Sequence, residues 1–347
     1  MSSEEVFLEK KGSLGLITLN RPEALNALTL RMVREIYPQL QAWKKDQNIT
    51  SIAVTAVGDK AFCAGGDIRA LYEWGKSGDD RATGFYYEEY QLNQLIKSYP
   101  KPYISFVNGI VMGGGVGLSV HGSHRVAGEN YSFAMPETGI GLFPDVGGSY
   151  FLSRLEKNAG MYLALTGSRL NASDAIYLGI AEYYIESKNY EELIIKLSEG
   201  LLPEDILEKY NTGPGDSNFE TNSLIIENLF SGNNLEEIFQ KLENDESEFA
   251  QKLFKTINSK SPTSLKIVFK QITDGAKNDF EECMRMEYRM VERVMSDHDF
   301  YEGVRALIIE KDNEPKWKPN TISKIKDKDV EKFFDNLGDK ELNFNKG

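Results

Sequence analysis

The spacing of apolar and polar side chains predicts alternating strands and helices over the first two hundred residues. Positions 5–10 and 14–20 roughly alternate in polarity on either side of Lys11-Gly12-Ser13, which reads as two strands joined by a turn. After a loop over 21–26, Thr29 can cap a helix reaching to about residue 45, because Met32, Val33, Ile36, Leu40 and Trp43 recur at helical spacing. The apolar run 51–57 reads as a buried strand. A second helix begins after Gly66, breaks around the polar stretch 76–80 and resumes over 86–98. Residues 104–107, a glycine-opened helix and residues 124–127 repeat the order strand, loop, helix, strand, which favours an α/β core with sites at strand C-termini.

From residue 155 onward helical patterns dominate, with caps expected at Asn171 and Ser173 and a short strand at 182–186. The run Thr212-Gly213-Pro214-Gly215-Asp216-Ser217-Asn218 is the clearest linker-like stretch. It divides an α/β part, 1–211, which carries the site, from a helical C-terminal part, 212–347. The charged tail after Pro319 is expected to be the least ordered region.

Two glycine-rich stretches change this picture from architecture to chemistry. Gly113, Gly114 and Gly115 open a helix at a cost of roughly 1 kcal/mol each relative to alanine, so the run needs a reason. A helix N-terminus without side chains lets a ligand oxygen approach free N–H groups and the positive dipole end. AFCAGGD at 61–67 offers the same bare backbone at the end of an apolar run, and two such amides meeting at one point form an oxyanion hole. The triplet does not fit a dinucleotide fingerprint, because Leu118 stands where the third glycine is required.

The candidate side chains follow at once. Glu137 and Asp145 lie in FAMPETGIGLFPDVGG (133–148), among Phe133, Met135, Pro136, Phe143 and Val146. A carboxylate in such surroundings is held neutral, paired or used, and two acids in one dry site drive their proton affinities apart. Ser119 and His121 lack the G-x-S-x-G elbow and read as helix packing groups, as do His124 and His298 elsewhere. Cys63 has no histidine placed beside it and reads as a small buried residue.

Composition then narrows the function. With 41% hydrophobic and 27% charged residues the chain has an ordinary globular composition, and its net charge of −13 opposes nucleic-acid or anionic-membrane binding. Two cysteines and three histidines provide neither a disulfide framework nor a zinc-type spacing, so a reducing compartment and no structural metal are expected. The N-terminal segment MSSEEVFLEKKG carries no secretory or transit pattern, and apolar runs are strand-sized. Expected locations are a bacterial cytoplasm, or the mitochondrial matrix after removal of a transit peptide.

AFCAGGDI (61–68) and VNGIVMGGGVGLS (107–119) resemble the signature of the crotonase, or enoyl-CoA hydratase, superfamily. By position, the resemblance implies oxyanion-hole N–H groups at Gly66 and Gly114 and a fold built as a spiral of ββα turns. Hydratases of that superfamily have an acid three residues after the middle glycine, where this chain has Gly117. The combination of FAMPETGIGLFPDVGG with YEEY (87–90), SPTSLKI (261–267), MEYRM (286–290) and DFYEGVRALIIEKDNEPKWKP (299–319) is similar instead to the branch that hydrolyses 3-hydroxyisobutyryl-CoA, in order and spacing, from about residue 5 to 318. The resemblance implies that Glu137 and Asp145 are catalytic, that Glu89 contacts substrate, and that CoA lies along the backbone of Ala24, Leu25, Ala64, Gly65, Asp67 and Ile68. Glu23 stands where relatives commonly have lysine, leaving Lys60, Arg69 and Lys101 as candidate phosphate contacts. No cofactor is implied beyond the CoA carried by the substrate, and the chain is expected to be a monomer or a homo-oligomer. An acyl-CoA hydratase or isomerase, or a non-catalytic acyl-CoA-binding protein, is the competing reading.

Overall fold

The first turn of the chain closes as its alternation requires. In the computed structural model, which describes residues 4–344, β1 (Val6–Lys11) pairs antiparallel with β2 (Leu14–Leu19). The remaining three residues at each end, including the last of the charged tail, lie outside the described residues. Gly12 makes the turn at φ +57°, and a Cβ there would meet the Ser198 carbonyl oxygen at 2.2 Å, so only glycine serves.

β3 (Ser51–Ala56), β5 (Tyr103–Val107), β7 (His124–Ala127) and β9 (Tyr183–Tyr184) add to β2 in that order, all in parallel. A second, three-stranded parallel sheet is made by β4 (Ala61–Cys63), β6 (Ile110–Met112) and β8 (Ser132–Ala134). Each consecutive pair, β3–β4, β5–β6 and β7–β8, puts one strand in the large sheet and the next in the small one. The fold is therefore α/β, as its pattern predicts, although the three-residue strands are too short to show a period.

Helix α1 (Leu30–Lys45) starts where expected: Thr29 Oγ1 accepts the Met32 N–H at 3.1 Å. At its other end Lys101 Nζ donates to the carbonyls of Trp43 and Asp46 at 2.6 and 2.7 Å, which commits that lysine to completing a helix. Helices α2 (Ile68–Ser77) and α3 (Arg81–Lys97) are broken where the polar stretch predicts. The glycine-opened helix α4 covers Gly114–Ser119.

By packing, the chain forms two compact units, each drawn from three stretches: 1–67, 88–134 and 169–221 in the first, and 68–87, 135–168 and 222–347 in the second. The division thus cuts the chain differently from the compositional boundary at 211/212. Residues 211–217 do lack helix and strand. The first unit holds both sheets and a core of Leu14, Leu16, Ala53, Ile104, Phe106, Val126, Ile185, Leu193 and Leu197 between the large sheet and the helix Tyr190–Ser198. It also contains the helix Ala172–Tyr177, capped by Asn171 in a reciprocal box with Asp174. Ser173 is not a cap; it lies inside that helix and donates to Asn171 Oδ1 at 3.0 Å.

The second unit is helical, and the helices Pro262–Gly275 and Phe280–Val294 carry its main apolar faces. As far as residue 344, its charged tail is built in rather than loose. Leu342 is fully buried, and Glu341 accepts from Arg289 Nε at 3.0 Å. Leu342 and the likewise buried Val330, single apolar residues among charged neighbours, gave the pattern no period with which to predict this docking.

Candidate active site

In the first unit, the 64–67 loop is stitched to the loop before α1. Ala64 N–H donates to the Leu25 carbonyl at 3.0 Å, Leu28 N–H to Gly65 at 2.8 Å and Asp67 N–H to Leu28 at 2.9 Å. Leu28 uses the groups of Gly65 and Asp67 on either side of its bridge partner Gly66, so the Gly66 N–H faces away from this pairing. Leu25 and Asn26 take left-handed backbone at φ +52° and +56°, held by the Asn26 side chain, which donates to the carbonyls of Val57 and Ala61. Ala24, Leu25, Ala64, Gly65 and Asp67 thereby form one double ledge of backbone. Arg21 bonds Asp67 Oδ2 at 3.1 Å, clamping its rim.

Gly114 stands at the first position of α4, where no earlier turn accepts its N–H. A Cβ added to it would lie 3.4 Å from the Gly66 nitrogen, 2.6 Å from Glu89 Oε1 and 3.3 Å from Leu28 Cδ2. The two candidate amides and the Glu89 carboxylate therefore border one small space that only a glycine leaves open. Gly115 has a different reason: its Cβ would strike the Cys63 carbonyl oxygen at 2.3 Å, so it lets α4 pack on β4. Glu89, on α3, is 1% exposed, and the neighbouring Glu88 instead pairs with Arg34 on the surface at 2.7 Å. That separates the two acids of YEEY.

The alternative nucleophiles are otherwise engaged. Burial pushes the Cys63 thiol up to about 12, and the Ser119 hydroxyl donates back to the Gly115 carbonyl at 2.8 Å within α4. His124 lies between Ser123 Oγ at 2.8 Å and Glu204 at 3.3 Å, and His298 bonds Asp299 at 3.1 Å.

In the second unit, Glu137 begins a short helical turn, Glu137–Ile140, and Asp145 follows in the loop before the helix Gly148–Phe151. Both are buried, at 6% and 4% exposure, and Glu137 Oε2 has no hydrogen-bond partner among the described residues. Burial first, and then the nearby Asp145, hold the Glu137 carboxyl well above the usual range, while Lys260 pulls it back down. Lys260 is itself lowered by burial, with Glu137 opposing. Its ammonium reaches the same turn, since a Cβ on Gly139 would lie 3.3 Å from Nζ. Arg69, another residue of this unit, donates to the Ile308 carbonyl at 2.8 Å, and Ile68 opens α2.

The loop carrying Asp145 is strained and held. Val146, fully buried, has φ +51°, a conformation that costs a β-branched residue about 1–3 kcal/mol. Glu287 reaches this loop from the helix Phe280–Val294 and accepts the N–H groups of Gly147 and Ser149, both at 2.8 Å. Gln271 Nε2 donates to the Pro144 carbonyl at 2.6 Å and to Ser149 Oγ at 2.8 Å. Lys260, Gln271 and Glu287 escaped the sequence reading. A signal existed for Glu287: it is an acid in the apolar stripe Phe280, Cys283, Met290, Val291, Val294 of an amphipathic helix.

Residues 14–334 match the family model described as Enoyl-CoA hydratase/isomerase. The chain belongs to this family. Among curated members, "3-hydroxyisobutyryl-CoA hydrolase, mitochondrial" of Danio rerio is 48% identical over 98% of this chain and 92% of that protein. The human protein of the same name is 47% identical over 99% of this chain and 92% of its own length. Among solved family structures, a carnitinyl-CoA dehydratase from Mycobacterium thermoresistibile superposes with a TM-score of 0.95 at 36% identity, covering 99% of this chain and 100% of that one. An enoyl-CoA hydratase from Rhodobacter sphaeroides does so with a TM-score of 0.93 at 36% identity, over 98% and 100%. The α/β architecture of alternating strands in two sheets is thus the family's crotonase fold.

Proposed function

We propose that the chain hydrolyses the thioester of 3-hydroxyisobutyryl-CoA, giving 3-hydroxyisobutyrate and CoA, a step of valine breakdown. Near-full-length identity of 47–48% to hydrolases of that name supports the substrate, against 36% to solved structures titled dehydratase or hydratase. The observation that carries hydrolysis over hydration is the distribution of acids. Gly117 leaves α4 without a carboxylate, whereas Glu137 and Asp145 share a buried loop and Glu137 keeps an unbonded oxygen.

On this reading the substrate carbonyl oxygen lies between the N–H groups of Gly66 and Gly114, which stabilise the negative charge that develops on attack. One such donor is worth about 3–4 kcal/mol. Glu137, ionised, attacks the thioester carbon as a nucleophile or takes the proton of a water that does so; each route consumes one water overall. Its raised proton affinity makes it a stronger base than an ordinary glutamate. Asp145 orients the hydroxyl or the water and helps the thiolate leave protonated, and Glu89 contacts the acyl hydroxyl. The backbone of Ala24, Leu25, Ala64, Gly65, Asp67 and Ile68 receives the CoA. A reducing compartment, cytoplasm or mitochondrial matrix, suits two free, buried cysteines. No helix among the described residues is long and apolar enough to cross a membrane.

Incubation with a panel of acyl-CoAs while free thiol and enoyl absorbance are followed together tests the proposal. Release of thiol from 3-hydroxyisobutyryl-CoA without a change in enoyl absorbance is expected. Enoyl turnover without thiol would make the chain a hydratase, and binding with neither signal would make it an acyl-CoA carrier.

A further inference from the structure

Glu287 is wholly buried on the helix Phe280–Val294 and spends both carboxyl oxygens on one loop. Its targets, the N–H groups of Gly147 and Ser149, flank Gly148 and begin two residues after Asp145. Between Asp145 and the first of them stands Val146, in the left-handed region that a β-branched side chain resists. A backbone in that state persists only where its surroundings over-determine it. Here they do: Glu287 grips the loop from one helix, and Gln271 grips it from another through the Pro144 carbonyl and Ser149 Oγ. Leaving an acid fully buried in an apolar helix stripe is costly, and a core with no other task would place a methionine or leucine there.

We propose that Glu287 is a positioning residue for the hydrolysis, fixing the loop so that the Asp145 carboxylate meets the reacting groups. The inference rests on the reading of Asp145 as a member of the site. Its chemistry is specific, because two converging N–H donors need two acceptor oxygens. Glu287→Gln keeps the shape but turns an N–H₂ toward one of them, so one bond is lost and replaced by a donor facing a donor. Gln271→Met removes the second grip while keeping volume.

The test is a double-mutant cycle on kcat and KM, with Glu287→Gln made in the wild-type chain and in Asp145→Asn. In the wild-type background we expect kcat to fall by about tenfold or more with KM within about twofold, since small displacements of a catalytic group cost rate rather than binding. In the Asp145→Asn background the same change should cost less than about twofold, because a residue acting through Asp145 has nothing left to position. Equal losses in both backgrounds, or wild-type kcat in folded Glu287→Gln, would overturn the proposal. Should Glu287→Gln not fold, Gln271→Met is put through the same cycle, and wild-type kcat there overturns it equally. Wild-type turnover by Asp145→Asn would instead overturn the reading of Asp145 on which the inference stands.

Discussion

A carboxyl group shows its use by how its surroundings treat its proton. Glu137 is buried, near a second acid, and pushed well above the ordinary range, yet Lys260 opposes that push. The lysine therefore lowers the pH at which Glu137 ionises, against the larger effects of burial and Asp145. If ionised Glu137 is required, kcat/KM rises with pH through the proton affinity of Glu137 in the free enzyme, and this acid limb lies above the ordinary glutamate value of 4.5. Lys260→Met removes the charge that lowers it and should move the limb to higher pH; a limb that stays put or moves down would separate Lys260 from Glu137. The sequence made Glu137 and Asp145 legible because their apolar neighbours are adjacent in the chain. Lys260 and Glu287 were not legible as neighbours of these two acids because their partners are distant: Glu287 bonds Gly147 and Ser149 across 140 and 138 positions. Lys101 and Arg69, read as candidates for phosphate, are engaged with backbone carbonyls at 2.6–2.8 Å.

Elements were legible in proportion to their length. The 16 residues of α1 gave a full apolar stripe and a cap, and the break between α2 and α3 fell on a polar run. β4, β6 and β8 have three residues each, below any measurable alternation, and they were seen only once paired. The candidate oxyanion segments follow two of these strands, so bare glycines, not periodicity, located them. The docking of the C-terminal tail was not legible, since its buried residues, Val330 and Leu342, stand singly among charged neighbours. Leu342→Ala should lower unfolding free energy by about 2–5 kcal/mol, the usual range for emptying a fully buried leucine site. Leu224→Ala, at a residue 76% exposed, should change it by less than about 0.5 kcal/mol. Equal midpoints in chemical denaturation for the two variants would show that the tail adds nothing to its unit.

At the scale of the whole chain, identity to named hydrolases over nearly its full length and the distribution of its acids point to the same reaction. The alternation of strand and helix gave the α/β class, while the spiral that relates its turns came from resemblance alone. The packing units, each assembled from three separated stretches, could not be read from composition, because compositional boundaries are local and packing is not. On the proposed reaction, this chain cleaves 3-hydroxyisobutyryl-CoA through Glu137. The most direct measurement is the rate of free-thiol release from that thioester by wild type and by Glu137→Gln at equal, saturating substrate. Sustained release by wild type is expected, with a fall of roughly three or more orders of magnitude in the variant and CoA binding retained. Wild-type-like release by Glu137→Gln would contradict the proposed reaction.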